Sequence, residues 1–238
     1  EDRSLKPKSW PAPVAQIMAR RRHAKHVGNV DPPAHARLRQ LLNPAFSPAS
    51  IATFEPMLRQ IADDVIERMI ANSEGGTAEF VEAFAYPYPL AVILQLIGVP
   101  ADDLDACMTW CRLKSSLDFA SETLSVEEQC VAARASVEFV NYCDDLVRRR
   151  RVEPTDDLIS RLLSARAHDH EPMTETEVSD LLPTLIFAGH ETTANLLAGL
   201  MAQLLEDAAQ LAELVGDGGD VAGKFDNWIE EALRFNSP

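Results

Sequence analysis

The sequence predicts an all-α protein, and three observations carry that prediction. Only 10 of the 238 residues are glycine, and few stretches alternate polar with apolar residues as strands do. Two boxes, Ser125–Glu128 and Thr174–Glu177, mark helix starts at which a hydroxyl and a carboxylate satisfy free amide donors. From Thr174 to Asp207 apolar residues then recur at helical spacing without a loop signal, which makes a helix of about 33 residues, roughly 50 Å long. A helix so long and apolar belongs in the middle of a larger helical body.

Composition narrows the function. Hydrophobic residues make up 46% of the chain, enough for a substantial core in one large or two small domains. The formal charge of −15 argues against a nucleic-acid partner. It fits a soluble protein handling a neutral or apolar small molecule. Cys107, Cys111, Cys130 and Cys143 show no paired Cys-x-x-Cys spacing, so a zinc site is not expected and they read as reduced core residues of a cytoplasmic protein. No uninterrupted apolar window of about 20 residues suggests a membrane span.

Taken in order, the chain opens on a segment rich in proline and basic residues (Pro7, Pro11, Pro13, then Arg20-Arg21-Arg22-His23), with a helix expected over 13–26. Its basic cluster reads as a solvated helix end. Asp31-Pro32-Pro33 starts the next helix, with Asp31 as cap and prolines in the first turn, where amides lack partners. That helix puts His35 and Arg39 on one face, four residues apart. Two such groups suit a dianionic ligand, because arginine makes paired bonds to a carboxylate. Ser47-Pro48 begins another helical region. Pro56 to Asn72 follows as an amphipathic helix with the stripe Leu58, Ile61, Ala62, Val65, Ile66 and Met69, stopped at Gly75-Gly76. Tyr86 to Ile97 reads as a short, fully buried helix.

Two longer helices are expected over Asp102–Phe119 and Val126–Arg151. The second ends in four arginines, Arg148 to Arg151, which face the favourable end of the helix dipole. Thr155-Asp156-Asp157 caps a short helix reaching about Arg166, and His168-Asp169-His170 reads as a solvated turn, since no further metal ligand stands near it. Pro183 sits inside the long helix, where it lacks an amide proton and is expected to kink it or break one bond. A Gly/Asp-rich loop, Gly216 to Asp220, leads to a last helix in which Glu231 and Arg234 are spaced for an ion pair.

The centre of the long helix breaks its own pattern. Ala188-Gly189-His190-Glu191-Thr192-Thr193 places a glycine, a carboxylate and two hydroxyls where apolar side chains are expected. Gly189 lets a ligand approach the backbone. Thr192, four residues after Ala188, can bond to that carbonyl and compete with the helix ladder. Loosening of this kind widens a groove on a helix face.

This hexapeptide resembles the oxygen-activating helix of the soluble bacterial cytochrome P450 haem-thiolate monooxygenases. Asp31-Pro32-Pro33-Ala34-His35-Ala36-Arg37-Leu38-Arg39, followed by Asn43-Pro44-Ala45-Phe46-Ser47-Pro48, resembles the family helix whose His and Arg bind a haem propionate. Glu230-Glu231-Ala232-Leu233-Arg234-Phe235 resembles the family's buried Glu-x-x-Arg pair. The resemblance implies one cytochrome P450-like, mainly helical domain over 1–238, incomplete at both ends. The small β portion and the cysteine-ligand loop would be largely missing. None of the four cysteines lies in such a loop, and all precede the oxygen-activating helix, so no axial metal ligand is assigned.

The implied cofactor is haem b (iron protoporphyrin IX), with His35 and Arg39 on a propionate and Ala188 and Gly189 against the ring. Glu191 and Thr192 are the implied catalytic pair, relaying protons for O–O cleavage in a dry site. Thr184 and Phe187 would face an apolar substrate. The helices over 102–119 and 126–151 would roof that pocket, with Met108, Trp110 and Leu113 as candidates for its lining. Arg37 points away from His35 and Arg39, toward the redox-partner face. The implied activity is hydroxylation with O2 and electrons from a ferredoxin-type or flavoprotein donor, the residues present being inactive alone. The rival readings are a catalytically inactive helical interaction protein and a peroxide-driven haem enzyme on the same fold.

Overall fold

The structure, a computed structural model, describes residues 10–20, 25–166, 171–215 and 221–235. Its helices are α1 (Ala12–Met18), α2 (Ala34–Leu42), α3 (Pro48–Ala52), α4 (Glu55–Ala71), α5 (Pro87–Ile97), α6 (Leu104–Phe119), α7 (Val126–Val152), α8 (Leu158–Ser164), α9 (Glu175–Glu206), α10 (Ala208–Val215) and α11 (Val221–Phe235). Among the described residues the only β pairing is an isolated bridge between Glu74 and Thr77. The all-α expectation holds. No described helix is long and apolar enough to cross a membrane.

The chain divides into two compact units, Glu1–Phe54 with Leu94–Leu185 and Glu55–Ile93 with Ile186–Pro238. In the first, α6 and α7 lie along each other and α1 packs on α7. Val14, Leu117, Ala132 and Ala133 are buried there, with Trp10, Ile17, Met18, Leu113 and Cys130 packed around them. The two alanines leave room for α1 to approach α7 closely. Trp110 stacks at a tilt on Tyr142, with ring centroids 5.4 Å apart, and its Nε1 donates to Glu138. Trp110 and Leu113 are thus engaged in packing between helices. The capping box at Ser125 forms as expected: its Oγ accepts from the Glu128 amide while the Glu128 carboxylate accepts from the Ser125 amide.

Two helix boundaries differ from expectation. α1 ends at Met18, well short of residue 26, and the basic cluster beyond Arg20 lies outside the described residues. α2 begins only at Ala34, and Asp31 gives it no side-chain cap. Its backbone carbonyl accepts from the His35 amide instead. The reason is local: a residue preceding proline is pushed out of the helical region, which removes both Asp31 and Pro32 from the helix.

The arginine run closing α7 is divided among different tasks. Arg148 pairs with Asp145, Arg149 lies 5.8 Å from the Tyr142 ring centroid, and Arg151 is 3.6 Å from Glu175. Arg150 turns inward. Its Nε donates to Asp157 and its Nη2 donates to the Gly98 carbonyl at 2.6 Å. Asp157 also accepts from Thr155 Oγ1 (2.6 Å) and caps α8 by accepting from the Ser160 amide (2.8 Å). Gly98 sits at φ +92°, and a Cβ there would meet Asp157 Oδ2 at 2.1 Å. Only glycine fits that position.

In the second unit, Ile61 and Val65 of α4 are buried with Ala91 of α5, and Met57, Phe84, Tyr88 and Val92 pack around them. Ile66, part of the expected stripe, is exposed. A π-helical turn, Val81–Ala85, precedes α5 and aligns Phe80, Phe84 and Tyr88 in a stack with centroids 5.3 and 5.2 Å apart. α5 buries Leu90, Ile93, Leu94 and Ile97 but exposes Gln95, so its burial is not complete. α9 runs unbroken through Pro183. The proline removes one backbone donor without ending the helix, whose neighbouring bonds carry it past the gap.

Candidate functional site

α9 starts at the expected capping box. Thr174 Oγ1 accepts from the Glu177 amide at 3.1 Å, and Glu177 Oε2 accepts from the Thr174 amide at 2.9 Å. From Val178 to Pro183 the helix is buried. Ser179 donates to Asp144 of α7, and Asp180 accepts from the Lys25 amide at 3.0 Å.

At the hexapeptide the helix turns one open face outward. At 100° per residue, Thr184, Ala188, Glu191, Thr192 and Asn195 fall within an arc of roughly 100°. Ala188, Thr192 and Asn195 are exposed, and Thr184 and Glu191 are half-buried. Thr192 Oγ1 donates to the Ala188 carbonyl at 2.8 Å, the bond expected from the spacing. A hydroxyl whose proton is so committed keeps its lone pairs free to accept. Phe187, also half-buried, lies beside this face.

The opposite face is packed. Ile186, His190 and Ala194 are buried, and the His190 ring meets Tyr86 edge-on, with centroids 4.3 Å apart. Gly189 lies over Ile93 of α5, whose Cδ1 would be 3.5 Å from an added Cβ. That is an ordinary contact distance, so packing alone does not require the glycine. Sequence reasoning missed the Tyr86–His190 contact. The histidine stood in the motif, but its partner lies 104 positions earlier, beyond any helical spacing.

His35 and Arg39 lie one turn apart on α2, the imidazole half-buried and the guanidinium exposed. Arg37, expected on the redox-partner face, is engaged inside the first unit. It bonds the Glu177 carboxylate and the carbonyls of Glu171 and Pro172. Glu231 and Arg234 do pair, through two bonds of 2.8 and 2.5 Å. They do so in the open, with 62% and 69% of their side chains exposed, and not as the buried pair that the resemblance implies. The His168–His170 turn, the Gly216–Asp220 loop and residues 236–238 lie outside the described residues.

Three comparisons bear on these elements. No family model matches the chain. It is 35% identical over 213 residues to cytochrome P450 107B1 of Saccharopolyspora erythraea, a match covering 90% of this chain and 48% of that protein. The cytochrome P450 monooxygenase PikC of Streptomyces venezuelae is 32% identical over 208 residues, 87% of this chain and 47% of that one. Among solved structures, ligand-free cytochrome P450 TbtJ1 superposes with a TM-score of 0.77 at 30% identity, over 97% of this chain and 57% of that one. The chain belongs with the bacterial cytochrome P450s. It spans about half the length of the curated relatives it matches.

Relatives of this family imply haem, and the residues present offer two kinds of group whose chemistry suits it. The α2 pair offers a cationic grip for a carboxylate. The α9 face offers small side chains and an accepting hydroxyl. Burial, then Asp103, pushes the Cys107 thiol up to about 12, and burial holds the Cys143 thiol well above its ordinary value. Both keep their protons. Cys111 is buried as well. Among the described residues no group of three or more His, Cys, Asp and Glu side chains is placed to hold a metal ion.

Proposed function

We propose that the protein carrying this chain is a haem-dependent monooxygenase that hydroxylates an apolar small molecule with O2 and electrons from a ferredoxin-type or flavoprotein donor. The observation that carries this reading is the open α9 face, where Thr192 Oγ1 is held on the Ala188 carbonyl at 2.8 Å beside the half-buried Glu191. A relative whose name calls it a monooxygenase supports the same reading. The acidic chain, whose four cysteines stand outside disulfides, fits work in the cytoplasm.

When bound, the haem supplies oxygen binding and redox chemistry that no side chain provides. His35 and Arg39 hold a propionate through charge-assisted hydrogen bonds. Ala188, on the open face, keeps the helix surface low so that the ring can approach it, while Gly189 beside it rests over Ile93. Thr184 and Phe187 present an apolar wall to the substrate. Thr192 accepts a hydrogen bond at Oγ1, from water or a bound group, and gives up a proton only by leaving the Ala188 carbonyl. Glu191, partly in reach of solvent, returns that proton.

The test is Thr192→Ala in the full-length protein. Haem content is expected to stay at the wild-type level while product per NAD(P)H falls, with the lost electrons appearing as peroxide or water. An unchanged product yield overturns the proton-delivery role. Comparing peroxide-supported with reductase-supported turnover separates this reading from a peroxide-driven enzyme.

A further inference from the structure

We infer that Arg37 is a positioning residue, a strut that fixes the propionate-gripping helix α2 against the start of α9. The inference rests on the functional reading above and adds to it a residue that touches neither substrate nor cofactor. Arg37 is two residues from both His35 and Arg39, which places it roughly opposite them around α2. One guanidinium makes four bonds there. Nη1 donates to Glu177 Oε1 at 2.6 Å, and Nη2 donates to Glu177 Oε2 at 3.1 Å, to the Pro172 carbonyl at 2.9 Å and to the Glu171 carbonyl at 3.1 Å.

Glu177 is the carboxylate of the α9 capping box, so Arg37 closes on the first turn of the helix that bears Glu191 and Thr192. The site is sheltered, with 23% of the Arg37 and 27% of the Glu177 side chain exposed. Burial works against the Glu177 charge, but the bonds from Arg37 and Thr174 outweigh it and hold that carboxyl below its usual range. A cation at a helix N-terminus faces the unfavourable end of the dipole. Helix stability therefore does not explain Arg37; the forked contact to Glu177 and two carbonyls does. Only arginine has the planar fork for it.

The consequence is a shared frame. The grip on the propionate and the first turn of α9 are held by one ion pair, joined across 140 residues of sequence. A change of that pair displaces the grip relative to the start of α9, and small displacements remote from the chemistry are costly in rate.

The experiment uses the full-length protein with Arg37→Gln, Glu177→Gln and the double variant. Glutamine at 177 preserves the capping box, so it removes the charge and leaves the helix start. Each single variant is expected to weaken haem affinity about tenfold, the scale of one charge-assisted bond. Each should also lower product per NAD(P)H and speed hydrogen exchange at the α2 amides of the haem-free protein. The double variant should be no worse than the worse single, because both remove one interaction. Arg37→Lys should recover only part of the loss. If thermal stability falls while haem affinity and product yield stay at wild-type values, Arg37 is only a fold brace and the inference is wrong. Additive losses in the double variant also overturn it. A wild type that takes up haem but makes no product defeats the functional reading alone, leaving affinity and exchange to judge the strut. A wild type that takes up no haem defeats both.

Discussion

Replacing Asp157 with alanine is expected to cost about 3–5 kcal/mol, the range for removing one partner of a buried ion pair. Only 6% of the Asp157 side chain and 16% of the Arg150 side chain are exposed. The substitution strands the Arg150 guanidinium with the Gly98 carbonyl as its remaining partner among the bonds described above. It also frees Thr155 Oγ1 and uncaps α8 at the Ser160 amide. A lost cap alone is worth about 1 kcal/mol, but cap and pair share one carboxylate, so their costs overlap and do not add.

For a body of this size the loss corresponds to a fall of roughly 6–20 °C in Tm, read by circular dichroism during heating. Asp157→Asn keeps an acceptor for the Ser160 amide and should lose less, about 1.5–3 kcal/mol. The pH dependence gives an independent check. Burial acts to raise the Asp157 carboxyl, but bonds from Thr155, Arg150 and Ser160 together bring it below its usual value. A depressed carboxyl adds stability that is full above the unfolded value of about 3.9 and fades as pH drops through the lower folded one. The gap between wild type and Asp157→Asn should therefore be widest near neutrality and narrow below about pH 4. An alanine variant within about 1 kcal/mol of wild type at pH 7 would show that the pair carries no net weight.

Three further outcomes follow from the same geometry. Gly98→Ala should destabilise the first unit about as much as Asp157→Ala, because both break the same contact, and thermal denaturation of the two variants tests that equality. Alkylation at pH 8 should modify the half-buried Cys130 first and reach Cys107 and Cys143 only after denaturant, as mass spectrometry of digested protein would reveal; early labelling of Cys107 would contradict its raised value. Glu231→Gln, on a largely exposed pair, should leave the Tm of this chain at the wild-type value, and a clear fall would mean the pair does structural work that its exposure conceals.

What could be read in advance was local. The boxes at Ser125 and Thr174 and the Thr192–Ala188 bond all depend on residues three or four apart, and all are in place. Such spacings are fixed by the helix itself. The misses have another origin. The spacing of Glu231 and Arg234 predicts a pair, and they do bond, but spacing says nothing of what covers a pair. Local spacing sends Arg37 to an outer face because its partner stands 140 positions away. The Gly98–Arg150–Asp157 contact was invisible for the same reason, since each residue has a bland local explanation as helix stop, dipole cation or cap. Asp31 failed as a cap because the effect of successive prolines on their predecessors outweighed its own preference.

The seat of Gly189 on Ile93 carries one more implication. A methyl group in that position would rest at 3.5 Å from a neighbour, and alanine in mid-helix is worth about 1 kcal/mol over glycine. The chain forgoes that gain at the middle of its longest helix, where no adjoining side chain compels it to. Bare backbone at this point is thus a concession made to something other than folding, and it sits one residue from Ala188, whose carbonyl Thr192 engages.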